Sequence, residues 1–452
     1  MARRVAALAI AAAATLGISA AAPVSALTIG PTDWPGYMFA PSHSSDNSAD
    51  TAFTTSNAPS TTQTWRQPIS FLSSPVVADG YVFIGSTNGT FYELDAATGA
   101  IVSSIFLGTQ PGIACPARGF VSTASVAFDS STSQDMVYVS DPSGYLDALT
   151  IPGLTVAWRS VIAIPSTTSN NYFDWSSPTV ANGKVYVGIS SNCDQPLIRG
   201  GVAAYDQVTG SQIATFYTVP KGAVGGSVWT SVAVDDSGYV YAATGNASRL
   251  NPHYGVSIVK LDGTTLAPVA QFTVPLAQRT TDNDFGGSPT IFGSLVGACN
   301  HNGIYYAVNR ATMSEAWHRR IGVHVGGPVQ AQCAAGGVYD GSHLFIAGDA
   351  TTIGGKAYPG SIRMLNPSNG NFVWQTGLPD GVIGAPTING SGVLAVATYD
   401  MQSTPNAVYL INAANGQILN VLNKNRLDFA QPVFADGHLY AANLTAIGEY
   451  TP

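Results

Sequence analysis

Charge is what this chain has least of. Only 10% of its 452 residues are Asp, Glu, Lys or Arg, with 26 acids against 18 Lys and Arg and a formal net charge of −8. So few cations leave no electrostatic footprint for nucleic acid or an anionic bilayer, and neither is expected as a partner. Cysteine is scarce too: Cys115, Cys193, Cys299 and Cys333, without the CxxC or CxH spacing of a zinc centre and without a cytochrome motif. Beyond the N-terminus no segment repeats its apolar residues at helical spacing, which argues against an α-helical domain. Glycine (48) and proline (27) are plentiful, yet 45% hydrophobic content excludes a disordered chain.

Residues 1–26 read as a secretory signal. Arg3 and Arg4 precede an apolar run that ends in Val24-Ser25-Ala26, a small-residue cleavage site. A membrane anchor is the alternative, but the run is short for a span. The expectation is a secreted or periplasmic protein with no membrane insertion after signal removal. In an exported chain an even cysteine count favours disulfides over buried thiols.

The remainder is organised by one short unit, clearest at residues 73–99. Val76-Val77, Tyr81-Val82-Phe83-Ile84 and Phe91 to Leu94 are strands, separated by turns at Asp79-Gly80 and Asn88-Gly89 and closed by Thr98-Gly99. Its first-strand signature, Ser73-Ser74-Pro75, recurs at Ser122-Thr123-Ala124, Ser176-Ser177-Pro178, Thr230-Ser231-Val232 and Gly287-Ser288-Pro289. Further copies are placed at Gly326-Gly327-Pro328, Gly384-Ala385-Pro386 and Ala430-Gln431-Pro432, and fourth strands often end near a tryptophan: Trp158, Trp317, Trp374. Repeats of about 40–60 residues suit four-stranded propeller blades. The last copy stops after three strands, and the strand around Trp65 can complete it.

The reading is therefore all-β: an eight-bladed β-propeller of four-stranded antiparallel blades, closed by pairing of N- and C-terminal strands, with seven blades as the alternative count. Residues 27–61 form an extended arm and residues 62–452 the propeller. Propeller topology puts the tight Asp-Gly turns on one face. It puts the long loops (109–119, 190–200, 246–254, 278–286, 348–360, 399–406) on the other, where a site is expected. Cys115–Cys193 and Cys299–Cys333 would then link neighbouring blades, with other pairings open.

The repeat, with its Asp-Gly, Gly-x-Leu-x-Ala-Leu-Asp and Thr-Gly-x-x-x-Trp variants, resembles the quinoprotein alcohol dehydrogenase-like propellers over roughly residues 31–450. The similarity is closest to polyvinyl-alcohol dehydrogenase-like members. That resemblance implies pyrroloquinoline quinone (PQQ) and Ca2+ as cofactors, an alcohol, possibly polymeric, as substrate, and a separate electron acceptor. Gly225-Gly226-Ser227-Val228-Trp229 and Ala243-Thr244-Gly245-Asn246 resemble the stretch in which a Trp floors the cofactor and an Asn ligates calcium. Asp282-Asn283-Asp284-Phe285-Gly286 resembles the segment carrying the catalytic aspartate and points to Asp284; Cys115 to Arg118 resemble the cofactor-edge loop.

Departures are equally specific. Cys115 is followed by Pro116 where the family commonly has a second cysteine. The glutamate ligand of calcium falls at Gln195, with Asp194 able to substitute; the Lys or Arg contacting the quinone falls at His301; a glutamate is replaced by Leu72. Each candidate has a structural alternative: Trp229 as inter-blade packing, Asn246 and His301 as turn residues, Asp284 as a loop cap, Arg118 as an ion-pair partner. A non-catalytic binding or scaffold propeller is the second functional reading, and a hydrolase using rim carboxylates the third.

Overall fold

The computed structural model describes residues 29–110, 119–166, 171–248, 250–323, 333–399, 406–423 and 429–452. Eight antiparallel sheets of four main strands each follow one another along the chain, an eight-bladed all-β propeller. Blade 1 shows the rule. Val76–Ala78 is wholly buried, Tyr81–Gly85 nearly so, Thr90–Asp95 partly, and Ile101–Phe106 alternates with solvent. Inner strands are sandwiched between neighbouring blades and tolerate continuous apolar sequence; the outer strand has one wet face.

Two devices hold neighbouring blades together, and each explains part of the repeat. In the Ser-Ser-Pro signature the second residue belongs to a ring around the channel. The backbone N–H of Ser74 donates to Thr123 Oγ1 at 3.0 Å, Thr123 to Ser177 Oγ at 2.9 Å, Ser177 to Ser231 Oγ at 2.9 Å and Ser231 to Ser288 Oγ at 3.0 Å. Gln431 donates back to Ser74 Oγ at 2.9 Å. At the outer edge, the indole N–H groups of Trp65, Trp158, Trp317 and Trp374 donate to Ala96, Gln207, Pro367 and Ala413 carbonyls of the next blade. Each indole also lies on a turn glycine there (Gly99, Gly210, Gly370, Gly416) at positive φ, where a Cβ would strike the ring.

Blade 6 departs from the sequence expectation. Its inner strand is Val338–Tyr339, preceded by Ala335-Gly336-Gly337, whereas Gly326 to Pro328 lie outside the described residues. Gly336 and Ala385 stand where blades 1 to 5 present a hydroxyl, and a side chain on Gly336 would collide with Met38.

Met38 belongs to the arm, which runs across the channel on the Asp-Gly turn face. Trp34 pairs with Val77, Val126 N–H donates to Pro35, Val234 to Pro41, Ile291 to Ser42, Tyr339 to Ser44 and Ile388 to Ser45. Asp46–Asn47 then adds a parallel strand to blade 7. Ring closure follows in blade 8, where Thr62–Gln67 pairs antiparallel with Ala446–Thr451 and supplies the outer strand, so that the two ends share one sheet. Cys299 and Cys333 are disulfide-bonded, tying blade 5 to the link before blade 6; Cys193 is also disulfide-bonded, and Cys115 lies outside the described residues. Among the described residues no helix is long and apolar enough to cross a membrane.

Candidate active site

On the face opposite the arm, the loops of blades 3, 4 and 5 converge beside the channel mouth. The blade 3 loop after Lys184–Ile189 brings Asp194, and the link into blade 4 brings Trp229. Asn246 stands on the blade 4 loop after Val240–Ala243; the link into blade 5 carries Asp282 and Asp284, and the turn after Leu295–Asn300 carries His301.

Asp284 sits at the centre and is buried. Its Oδ2 accepts from Trp229 Nε1 at 3.2 Å, and its Oδ1 accepts from the backbone N–H of Asn246. The absence of a side chain at Gly245 makes room for it, since a Cβ there would lie 2.7 Å from Asp284 Oδ1. Asn246 Nδ2 donates to Asp282 Oδ1 at 2.9 Å and to Asp194 Oδ2 at 3.4 Å, while its Oδ1 accepts from Asn283 N–H at 2.9 Å. Asp194 is held by the hydroxyls of Ser191 at 2.8 Å and Ser227 at 3.3 Å. Asp282 Oδ2 pairs with His301 Nδ1 at 2.9 Å, and the imidazole lies 5.7 Å from the Trp229 ring. Ligand atoms of Asp282, Asp284 and His301 fall within 4.8 Å of one another.

The electrostatics follow from crowding carboxylates out of water. Burial, reinforced by the Asp194 charge, pushes the Asp284 carboxyl up to about 8. Burial acts on Asp282 as well, but the hydrogen bond and charge of His301, with the Asn246 amide, prevail and lower it to about 2. His301 is raised: its burial opposes the charge, and the Asp282 bond and the surrounding carboxylates outweigh it. An oxygen-rich cluster with one strongly raised acid is an arrangement that a hard cation would relieve.

Beside the cluster a recess opens at the channel mouth. Trp229 and Trp175 form aromatic wall, Ser74, Thr123, Ser177 and Ser231 supply polar groups, and Leu72 lines it as well. Tyr37 of the arm closes its inner end, since the same residue lines a second recess on the arm side.

Of the residues singled out from sequence, Asp194, Trp229, Asn246, Asp284 and His301 come together. Gln195 does not join them: it is exposed and its side chain bonds to none of them, so the neighbouring Asp194 is the carboxylate that reaches Asn246. Cys115 and Arg118 lie outside the described residues. Asp349 accepts from Val382 N–H at 2.9 Å and adds its charge to those acting on His301. Sequence reasoning missed Asp282, although it stands two residues before Asp284 in the same segment, and Trp175, whose signal was its place directly before the Ser176-Ser177-Pro178 signature.

Comparison with known proteins adds three findings. Residues 9–105 and 117–337 match the PQQ_2 family model, described as outer membrane protein assembly factor BamB. The quinohemoprotein alcohol dehydrogenase ADH-IIG of Pseudomonas putida is 23% identical over 313 residues, 57% of this chain and 42% of that enzyme, so the match spans less than half the enzyme's length. Its solved structure superposes with a TM-score of 0.73 at 16% identity, over 93% of this chain and 80% of that one. BamB from Moraxella catarrhalis superposes with a TM-score of 0.58 at 14% identity, over 87% of this chain and 98% of that one.

Proposed function

The chain belongs to the PQQ_2 family, as a PQQ-type, alcohol dehydrogenase-like β-propeller, and from that premise we propose that it oxidises an alcohol with PQQ and a calcium ion held at the recess. The observation that carries this reading is Asp284, a buried carboxyl at the channel mouth bonded to both Trp229 and Asn246. The donor set fits a hard cation: Asp194, Asp282 and Asp284 offer carboxylate oxygens, and Asn246, which turns its Nδ2 to two of them, would present Oδ1 on rotating its amide. The Trp229 face and the hydroxyl-lined recess fit a planar ring. When bound, the quinone supplies the hydride acceptor and the cation polarises a carbonyl oxygen.

The chain's own residues do the rest. Asp284 takes the hydroxyl proton as hydride leaves the carbinol carbon, so that the alcohol ends as a carbonyl compound two electrons poorer. Trp229 supports the ring and His301 meets it at the edge; Arg118 and Cys115 are proposed as further cofactor contacts from the resemblance of their loop alone. A separate acceptor then takes the electrons, and the compartment proposed is secreted or periplasmic. The test is to add PQQ and Ca2+ to purified protein and follow dye reduction with secondary and polymeric alcohols. Turnover, lost about 100-fold or more in Asp284→Asn, is expected; no quinone absorbance shift and no turnover would sink the reading.

One observation favours a non-catalytic binding propeller instead. Leu72, Val121, Ile383 and Phe429 give the recess a hydrocarbon wall, and its lining contains no Lys or Arg among the described residues to meet the carboxylates of a quinone. On that reading the titration with PQQ gives no binding, and Asp284→Asn changes nothing but stability.

A further inference from the structure

The first turn of blade 1 brings three aspartates together where the arm meets blades 1 and 2. Asp79 stands on the Asp-Gly turn between Val76–Ala78 and Tyr81–Gly85, at a φ of +57°. Asp33 comes from the arm, and Asp135 from the second strand of blade 2, Gln134–Ser140. Asp33 is satisfied: its Oδ2 accepts from Gly30 N–H at 2.6 Å and from Asp79 N–H at 3.4 Å. The other two are not. Asp79 and Asp135 face each other closely enough for one proton to bridge them, and one oxygen of Asp135 takes the Ile29 N–H. Yet Oδ2 of each is buried and meets no donor, and Asp135 is only 2% exposed.

The charges acting on this pair are all carboxylates: each acts on the other, and Asp33 acts on Asp79. Burial, with those charges, pushes Asp79 up to about 7. Asp33 in turn faces Asp436 from the turn of blade 8. None of the four forms an ion pair among the described residues. Two carboxylates in a buried seam repel each other, and a positive charge between them relieves both the repulsion and the unmet oxygens. Oxygen donors alone suit a hard cation. Ca2+ accepts irregular geometry and completes its shell with water, whereas Mg2+ demands a regular octahedron, so a two-carboxylate seam favours Ca2+. Asp79 is only partly buried, which leaves a way in.

We propose that Asp79 and Asp135 form a calcium site on the arm face, separate from the carboxylate cluster at the recess on the opposite face. The ion ties the start of the arm to the seam between blades 1 and 2, where Trp34 first pairs with Val77. The site does not depend on the function proposed above.

The test is thermal unfolding of the full chain at pH 7, in EDTA and in excess Ca2+. It compares wild type, Asp79→Asn, Asp135→Asn, Asp284→Asn and the Asp79→Asn/Asp284→Asn double variant. Asparagine fits the turn, since Asn182 precedes the turn glycine of blade 3 at a φ of +53°. A hundredfold excess over Kd is expected to raise the wild-type midpoint by about 3 °C. The response should persist in Asp284→Asn, which alters the recess, and disappear when Asp79→Asn is added. In EDTA, Asp79→Asn and Asp135→Asn should unfold no earlier than wild type, because each removes a like charge; a pair with a purely structural role would be destabilised. No Ca2+ response in wild type, or an equal response in wild type and both seam variants, would overturn the proposal and mean that a shared proton fills the seam. Should the variants fail to fold, wild-type crystals soaked in Tb3+ decide. An anomalous peak between Asp79 and Asp135 supports the site; a peak at the recess alone, or none, overturns it.

Discussion

Asp284 is the residue on which a proton and a cation compete. With its carboxyl raised to about 8 by burial and the Asp194 charge, it is mostly protonated at pH 7 in the cation-free protein. A cation that takes it as a ligand must displace that proton. Calcium titration at pH 7 in buffers of different ionisation enthalpy should therefore report close to one proton released per ion, falling towards zero above about pH 9 as the carboxyl ionises on its own. Proton release that does not change with pH would place the cation elsewhere. The residues of this site differed in how legible they were. Trp229, Asn246 and Asp284 sit in short motifs whose neighbours are glycines, and the structure shows why: a side chain at Gly245 or Gly286 would strike Asp284 or His301. Asp282 was illegible because nothing local distinguishes one carboxylate of Asp-Asn-Asp from the other. Only the fold brings Asn246 and His301, from two other loops, to one of them.

At the scale of the element, the turn glycines divide into two kinds that sequence cannot separate. Gly183 and Gly370 both have positive φ, +71° and +67°, but a Cβ on Gly183 meets nothing within 4 Å while one on Gly370 meets the Trp317 indole. Gly183→Ala should cost about 1–2 kcal/mol for the left-handed backbone alone. Gly370→Ala should cost about 1–3 kcal/mol more, for a displaced indole in a packed interface. Urea denaturation of the two variants checks the difference; equal losses would mean that the indole contact contributes nothing. The arm has its own sensitivity, centred on His43. Burial lowers this imidazole to about 4, and its Nδ1–H donates to the Pro289 carbonyl at 2.9 Å. Its folded value lies below the ordinary 6.5, so its contribution is intact above pH 6.5 and is lost as pH falls towards 4. That span is worth about 3 kcal/mol. Asp33 and Asp46, both raised to about 6 by burial, act with the opposite sign, weakening the arm as pH rises. The stability difference between wild type and His43→Gln isolates the histidine, and it should shrink by up to about 3 kcal/mol between pH 6.5 and 4. A constant difference would show that His43 titrates alike in the folded and unfolded chain.

Over the whole molecule, the blade repeat was the most legible feature, because stacking on copies of itself writes similar turns into the blades and a ring hydroxyl into blades 1 to 5. The missing strand of the last copy pointed to closure for the same reason. The sixth copy was misplaced because its inner strand lacks the hydroxyl, and Met38 from the arm fills the gap at Gly336. Deleting residues 446–452 tests what closure does. It removes the strand that joins Thr62–Gln67 to His438–Asn443 and leaves that strand as an open edge. Light scattering should find concentration-dependent oligomers where the full chain gives none, relieved by a peptide of residues 446–452 added in trans. A monomeric truncated protein would mean that the seam is dispensable.

The arm adds a constraint of time. Residues 34–47 are made before any blade, yet their partners are inner strands of blades 1, 2, 4, 5, 6 and 7, and Asn47 Nδ2 donates to Phe434 of blade 8 at 2.9 Å. A segment synthesised before every blade must wait for the last of them, and the ring assembles around it. An open solenoid can gain or lose a repeat and remain a solenoid. Here each blade is counted against a fixed thread, so adding or deleting one would leave the thread out of step with every blade after it. That links the number eight to the arm as firmly as to the blades themselves.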